Sequence, residues 1–507
     1  MRRWVWPLAA VLVACSGTPS ATTDEIPIIS TVNTGAIDST TSSTAARVPF
    51  PGEPGIGDSL HPSLGNGGYD VDHYALDLTF DGDRLEGTAT LIVRPTVLLE
   101  SFYLDLTGMA VASVTVDGTN AAFEVQDELR VIPDSPLDVG SEASVVIEYG
   151  GVPASIPNVA GQFRVGWHES VDSWFGLSEP AGADTWFPSN NHPLDKATFE
   201  LRMAVPTGLT VVSSGTLTDE SSQDGLTTFT WESTDPIAPY LVGLGIGEFD
   251  RATEESSGGV EINNYFDTDL PAAERAKFER QGEMMDFFTE VLGPYPFAEY
   301  GALVLETNNV SAALETQTRP TYGTQILVLG EAVVAHELAH QWFGDSLSVS
   351  DWSDVWLNEG FSTYLQWLWA GYDRGEAALT GEVVSAYRAL AGVPLVQSAG
   401  SEEAAYEQAL SQNPPPGTPP ADDLFNQSVY VRGALTIHAL RLQLGDDVFF
   451  SLLKTWTTSN QHGNVSTDQF LQLVDEVGGT DARVLVERWI FDREMPPIEA
   501  MDLAPPG

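Results

Sequence analysis

The chemistry-bearing residues of this chain gather in Val334-Ala335-His336-Glu337-Leu338-Ala339-His340-Gln341-Trp342. Two histidines four apart lie about one turn apart on one face of a helix, so their imidazoles can converge on one cation. Glu337 follows the first histidine and projects beside the pair, where it can take a proton from a water activated at the metal. The same string on a surface helix would meet only water. The apolar flanks Val333, Val334, Leu338 and Ala339, in a chain with only eight histidines, favour the metal reading. After eighteen further residues comes Glu359, within Val355-Trp356-Leu357-Asn358-Glu359-Gly360-Phe361. A carboxylate in so apolar a stretch is costly unless paired or metal-bound, and basic residues are scarce nearby. Two His and one Glu leave a fourth position open to water, the pattern of catalytic rather than structural zinc.

The strings His-Glu-Leu-Ala-His-Gln-Trp-Phe-Gly and Trp-Leu-Asn-Glu-Gly-Phe resemble the gluzincin zinc metallopeptidases of the aminopeptidase N type. The resemblance implies one Zn2+ per chain on His336, His340 and Glu359, with Glu337 as general base. Position 345 is Asp where the family usually has Asn. Glu179-Pro180, Trp186-Phe187-Pro188 and Lys196-Ala197-Thr198-Phe199 resemble the end of the family's N-terminal domain; Glu179 then matches a residue that helps hold the substrate's amine. Ala312-Ala313-Leu314-Glu315-Thr316 stands where the family has Gly-x-Met-Glu-Asn. Glu315 is kept and by the resemblance binds the free α-amino group, with Glu306 a lesser candidate; the first Gly, the Met and the Asn are not kept, which leaves subsite preference open. Val429-Tyr430-Val431-Arg432-Gly433-Ala434 resembles Tyr-x-Lys-Gly-Ala, which implies that Tyr430 donates a hydrogen bond to the oxyanion. Read without the family, Glu179 and Glu315 are solvated carboxylates and Tyr430 is an ordinary helix residue.

These residues need a scaffold. From about 69 to 250 the pattern alternates as in strands, for example Tyr74–Phe80, Gly87–Val93 and Ala143–Tyr149, with turns such as Asp81-Gly82-Asp83 between. Short strands with regular turns predict an all-β domain. From about 260 helical spacing takes over: Ala272–Leu292, then 331–344, 359–371, 374–391, 428–444, 466–477 and 482–490, with strands expected near 300–306 and 325–329. The fold class expected is α+β and multidomain. An N-terminal β domain at 61–255, a saddle-like sheet by the resemblance, precedes a mainly α, thermolysin-like catalytic domain at 256–500 and a tail at 501–507. Larger members of the family add a small β domain and a helical domain; the resemblance therefore implies a short form with a more open cleft.

Composition narrows the partners. The chain has 507 residues, 72 acidic against 22 basic, a formal net charge of -50. Such a field repels nucleic acids and anionic lipid. Arg2 and Arg3 precede a short apolar run from Trp4 to Ala14, a signal-peptide core by its length and charge. It ends in Leu12-Val13-Ala14-Cys15, which resembles a lipobox, and Cys15 is the only cysteine. The expectation is a signal over 1–15, lipid on Cys15, a Ser/Thr-rich tether over 16–60, and a protein anchored at the outer face of a bacterial membrane; an ordinary cleaved signal and secretion is the alternative. The function expected is removal of the N-terminal residue from peptides with a free amine. The alternatives are a zinc endopeptidase of broader specificity and a non-catalytic cell-surface binding protein.

Overall fold

The alternating run that begins at Tyr69 forms the strand Tyr69–Phe80, which buries Tyr69, Val71, Tyr74, Leu76, Leu78 and Phe80. A bulge between Val71 and His73 absorbs the one break in the alternation. The computed structural model describes residues 48–160, 163–307, 312–392 and 402–506. Cys15, the leader and most of the expected tether lie outside the described residues. Residues 50–60 belong to the folded body: Phe50 bridges Leu99, and Asp58 and Ser59 bond to the Asp351–Trp352 turn.

Tyr69–Phe80 lies in a sheet of eight described strands. Their order is 216–223, 226–237, 197–206, 69–80, 85–95, 143–151, 110–116 and 119–120. Neighbours are antiparallel except 197–206 beside 69–80. A five-stranded sheet carries 164–169 and 174–177 toward Ser178 and Glu179. A third sheet, in the order 249–255, 261–267, 299–305, 321–323 and 313–314, opens the second half of the fold, and its edge strand Ala313–Leu314 leads directly into Glu315. An N-terminal β-rich part is thus followed by a helical part, as expected. The two share one continuous apolar core, from Val71 and Trp186 through Leu303 to Val334, Trp356 and Leu435.

The helices expected from the periodicity are present with local differences, and two more, Glu402–Gln412 and Asp446–Ser459, lie outside the expected spans. The expected single helix Ala272–Leu292 is broken into Ala272–Arg275, a 3-10 turn at Ala276–Phe278 and Gln281–Leu292. The break lets Phe278 pack edge-on against Phe266 and Tyr322, at 5.5 and 5.1 Å between ring centroids. The run expected as a strand near 325–329 is instead a 3-10 turn, Ile326–Leu329, with Leu327 buried and Val328 82% exposed. Gly330, at φ 68°, ends that turn and starts the helix Glu331–His340. The strand beside Glu299–Leu305 is Thr321–Gly323. Among the described residues, no helix is long and apolar enough to cross a membrane.

Candidate active site

His336 and His340 project from the Glu331–His340 helix, and Glu359 from the first turn of Trp356–Arg374. Their ligand atoms form a nearly equilateral triangle. His336 Nε2 and His340 Nε2 are 3.0 Å apart, and Glu359 Oε2 is 3.3 and 3.4 Å from them. Atoms bound at about 2.0–2.1 Å to one tetrahedral zinc ion stand about 3.3–3.4 Å apart, so the three side chains fit the metal. The orientation of His340 is set from behind, where Nδ1 donates to Phe343 O at 2.9 Å and leaves the Nε2 lone pair for the ion. The chain reaches that carbonyl through Gly344 at φ 123°, where a Cβ would lie 3.3 Å from His340 Nδ1.

The field around the triangle also suits a dication. Burial alone would raise the Glu359 pKa, but the two imidazoles outweigh it and hold the carboxylate at about 2. Burial alone would lower that of His340, yet Glu315 and Glu359 raise it to about 10. A site that draws positive charge onto an imidazole so strongly favours a metal cation in the proton's place. Glu337 is 5% exposed, on the same helix. Burial, reinforced by Glu315 and Glu359 and opposed by His340, pushes its carboxyl well above the usual range.

Two further carboxylates complete the site. Glu315 follows the sheet edge and Glu179 follows the strand Trp174–Leu177, and they are 3% and 8% exposed. In each, Oε1 is buried without a hydrogen-bond partner, and Glu315 Oε1 faces His340 Nδ1 at 3.9 Å. Burial and the Glu315 charge push Glu179 well above the carboxylate range; burial also raises Glu315, with His340 opposing. Two adjacent buried acids with unmet acceptors are a receptor for a cation. Glu306 lies apart from them, its Oε2 accepting from Thr324 Oγ1 at 3.2 Å. Tyr430, in the helix Gln427–Leu444, stacks at 6.1 Å and 22° beside the His336 ring. Burial, then Glu359 and Glu179, push its phenol well above its ordinary value, so it stays protonated as a donor. His336, His340, Glu359, Glu337, Glu315, Glu179 and Tyr430 thus lie in one neighbourhood, and Glu306 is engaged with Thr324 instead.

Several supporting residues had no role that the sequence alone disclosed. Gln341 ties the amine-side turn to the histidine helix: Nε2 donates to Glu315 O at 3.3 Å and Oε1 accepts from Thr318 N at 2.7 Å. Thr318 is held at φ 66°, a strained setting for a β-branched residue, with Gly215 N donating to its Oγ1 at 2.9 Å. Tyr240 is fully buried with an unpartnered hydroxyl, in the field of Glu315 and Glu179. Asp345 is fully buried with both carboxyl oxygens unpartnered, and burial together with Glu315 pushes its pKa well up. Burial thus favours its neutral form, in keeping with the neutral Asn that the family usually has at this position. The helices bearing Glu359 and Tyr430 touch at Gly360 and Gly433, where a Cβ on either would lie 2.8–2.9 Å from the other's Cα.

Residues 70–241 match the Peptidase M1 N-terminal domain, and 276–489 the Peptidase family M1 domain. Aminopeptidase M1 of Arabidopsis thaliana is 25% identical over 337 residues, 64% of this chain and 37% of that protein. Aminopeptidase N of Canis lupus familiaris is 26% identical over 453 residues, 81% of this chain and 45% of that protein. The chain thus spans less than half the length of these two curated relatives. Among solved structures, the M1 zinc metallopeptidase of Deinococcus radiodurans is 32% identical with a TM-score of 0.78, covering 88% of this chain and 99% of that one. A mutant of it bound to a Tyr-Ser-Ala substrate aligns with a TM-score of 0.79 at 31% identity. Yeast LTA4 hydrolase, 20% identical with a TM-score of 0.69, shares the fold. With both domains matched, and a structural relative of nearly equal extent, this chain belongs to the zinc metallopeptidases of peptidase family M1.

Proposed function

We propose that the protein is a zinc-dependent aminopeptidase that removes the N-terminal residue of peptides with a free amine. The observation that carries this is the pair Glu179 and Glu315, buried beside the metal triangle with an unmet acceptor on each. A substrate ammonium satisfies both, and that anchorage fixes which peptide bond reaches the metal. The D. radiodurans relative binds Tyr-Ser-Ala, a peptide of the kind proposed here. Zinc, when bound, polarises the scissile carbonyl and lowers the pKa of a water toward about 7. Glu337 takes the proton of the attacking water and returns it to the leaving amine. Tyr430 donates its phenolic hydrogen to the oxygen that becomes negative. In this division of labour the 61–255 part supplies Glu179, and the 256–500 part supplies the metal ligands, Glu337, Glu315 and Tyr430.

The test is a panel of matched peptides with free and acetylated N-termini, assayed with and without a chelator. Cleavage only of the free peptides, and only without chelator, is expected. Equal cleavage of acetylated peptides would establish the endopeptidase alternative instead, and zinc binding with no cleavage of either set would leave a binding protein. For the N-terminus we propose lipid attachment at Cys15 after removal of residues 1–14, supported by the Arg2-Arg3 start, the apolar run and the Leu-Val-Ala-Cys string. Mass spectrometry of the N-terminal peptide from a bacterial host should show a diacylglyceryl adduct; an unmodified Cys15 would favour the secreted form.

A further inference from the structure

The residue that holds the far end of the histidine helix comes from the other half of the fold. Lys196, just before the strand Ala197–Pro206, sends its ammonium across to the turn after His340. Nζ donates to Asp345 O at 2.7 Å and to Ser346 O at 3.0 Å. That turn fixes the direction of a metal ligand. Asp345 N bonds His340 O at 3.1 Å, Leu347 N bonds Trp342 O at 3.0 Å, and His340 Nδ1 bonds Phe343 O at 2.9 Å. Ser348 Oγ grips the turn from its other side, donating to Gly344 O at 2.7 Å and Asp345 O at 3.2 Å. This chain has only three lysines, and one of them is spent on this turn. Burial lowers the Lys196 pKa to about 7, with Asp345 and Asp235 opposing; charged or neutral, the amine keeps N–H donors for both carbonyls.

We infer that Lys196 is a positioning residue for metal binding: by holding the Asp345–Ser346 turn it fixes Phe343 O and thereby the His340 imidazole. The N-terminal part thus acts on the metal affinity of the helical part, independently of which peptides are cleaved. Loss of a group bonded directly to a ligand lowers metal affinity about 10–100-fold; Lys196 acts through the turn one step further out, so a smaller loss follows.

The experiment measures zinc dissociation constants in metal buffers for folded wild-type protein and for Lys196→Met, Lys196→Arg and Ser348→Ala, together with the melting temperatures of the zinc-free forms. Lys196→Met is expected to weaken zinc several-fold, up to about 10-fold. Lys196→Arg, which keeps donors and charge, should recover part of that loss, and Ser348→Ala should weaken zinc by a smaller factor. A purely structural role would lower the zinc-free melting temperature and leave the zinc constant of the folded molecules at the wild-type value; that result for Lys196→Met overturns the inference. If Lys196→Met does not fold, the other two variants decide. A raised zinc constant in Ser348→Ala supports the inference, and wild-type constants in both overturn it.

Discussion

Replacing Gly433 with Ala tests whether the crossing of two helices sets the catalytic geometry. Gly433 lies one turn after Tyr430, and its partner Gly360 follows Glu359 directly, so this one crossing places a metal ligand and the phenol. A Cβ on residue 433 would sit 2.8 Å from Gly360 Cα, with Trp356 O at 3.6 Å. Ordinary contact between carbon atoms is about 3.5–4.0 Å, so the helices must part by roughly 0.7–1.2 Å. On propensity alone, Gly→Ala inside a helix should stabilise by about 1 kcal/mol. Overpacking at such a contact costs about 1–3 kcal/mol, so the net expectation is a loss of up to about 2 kcal/mol. The catalytic effect should be larger, because a 1 Å misplacement can cost about 100-fold in rate. The assay is kcat and KM on an aminoacyl-anilide beside denaturant unfolding. The expected result is a fall in kcat of about 10–100-fold with KM changed little. A variant more stable than wild type and of undiminished kcat would refute the reasoning, since it would show that the helices need not touch to place Tyr430.

The other predictions concern single groups. Glu337→Gln should keep zinc at full occupancy yet lower kcat by about 10²–10⁴-fold; metal analysis beside single-turnover kinetics checks both, and a fully active variant would remove Glu337 from its role. Glu315→Gln should raise KM for free-amine peptides, because a charge-assisted hydrogen bond contributes roughly 1.5–3 kcal/mol, or about 10–150-fold; an unchanged KM would sever Glu315 from the amine. Asp58 provides a pH test away from the metal. Burial alone would raise its pKa, but hydrogen bonds from His192 and from Trp352 N and His61 N hold it at about 2, against an ordinary 3.8. A depressed acid contributes stability that is present above the unfolded value and lost as pH falls through the folded one. The shift corresponds to about 2 kcal/mol, so Asp58→Asn should unfold more readily at pH 7 and lose the part of the acid transition between about pH 4 and 2. Identical urea midpoints for wild type and variant across that range would exclude this clamp.

How far the sequence could be read follows from the range of the interactions. The metal ligands and Glu337 were legible because two short strings hold them at helical spacing, and local spacing survives into the fold. The eight-stranded sheet was legible where one face is buried, since alternation from Tyr69 to Phe80 has one cause. Glu179, Glu315 and Tyr430 were visible only through resemblance, because their meaning lies in meeting one another from distant segments; the structure supplies the meeting and the unmet oxygens that give it a purpose. Ile326–Leu329 was misread because a short apolar run does not reveal whether both its faces will be covered, and Val328 is not. Lys196, Gln341 and the glycines Gly360 and Gly433 stood in the matched strings with no role readable from them, and Thr318 left no local trace. Each works on backbone atoms far along the chain, and a backbone carbonyl has no letter in the sequence. The same logic explains Asp345. Its letter suggests a charge, whereas complete burial beside Glu315 pushes its carboxyl toward the neutral form, so its role follows from its surroundings rather than from its type.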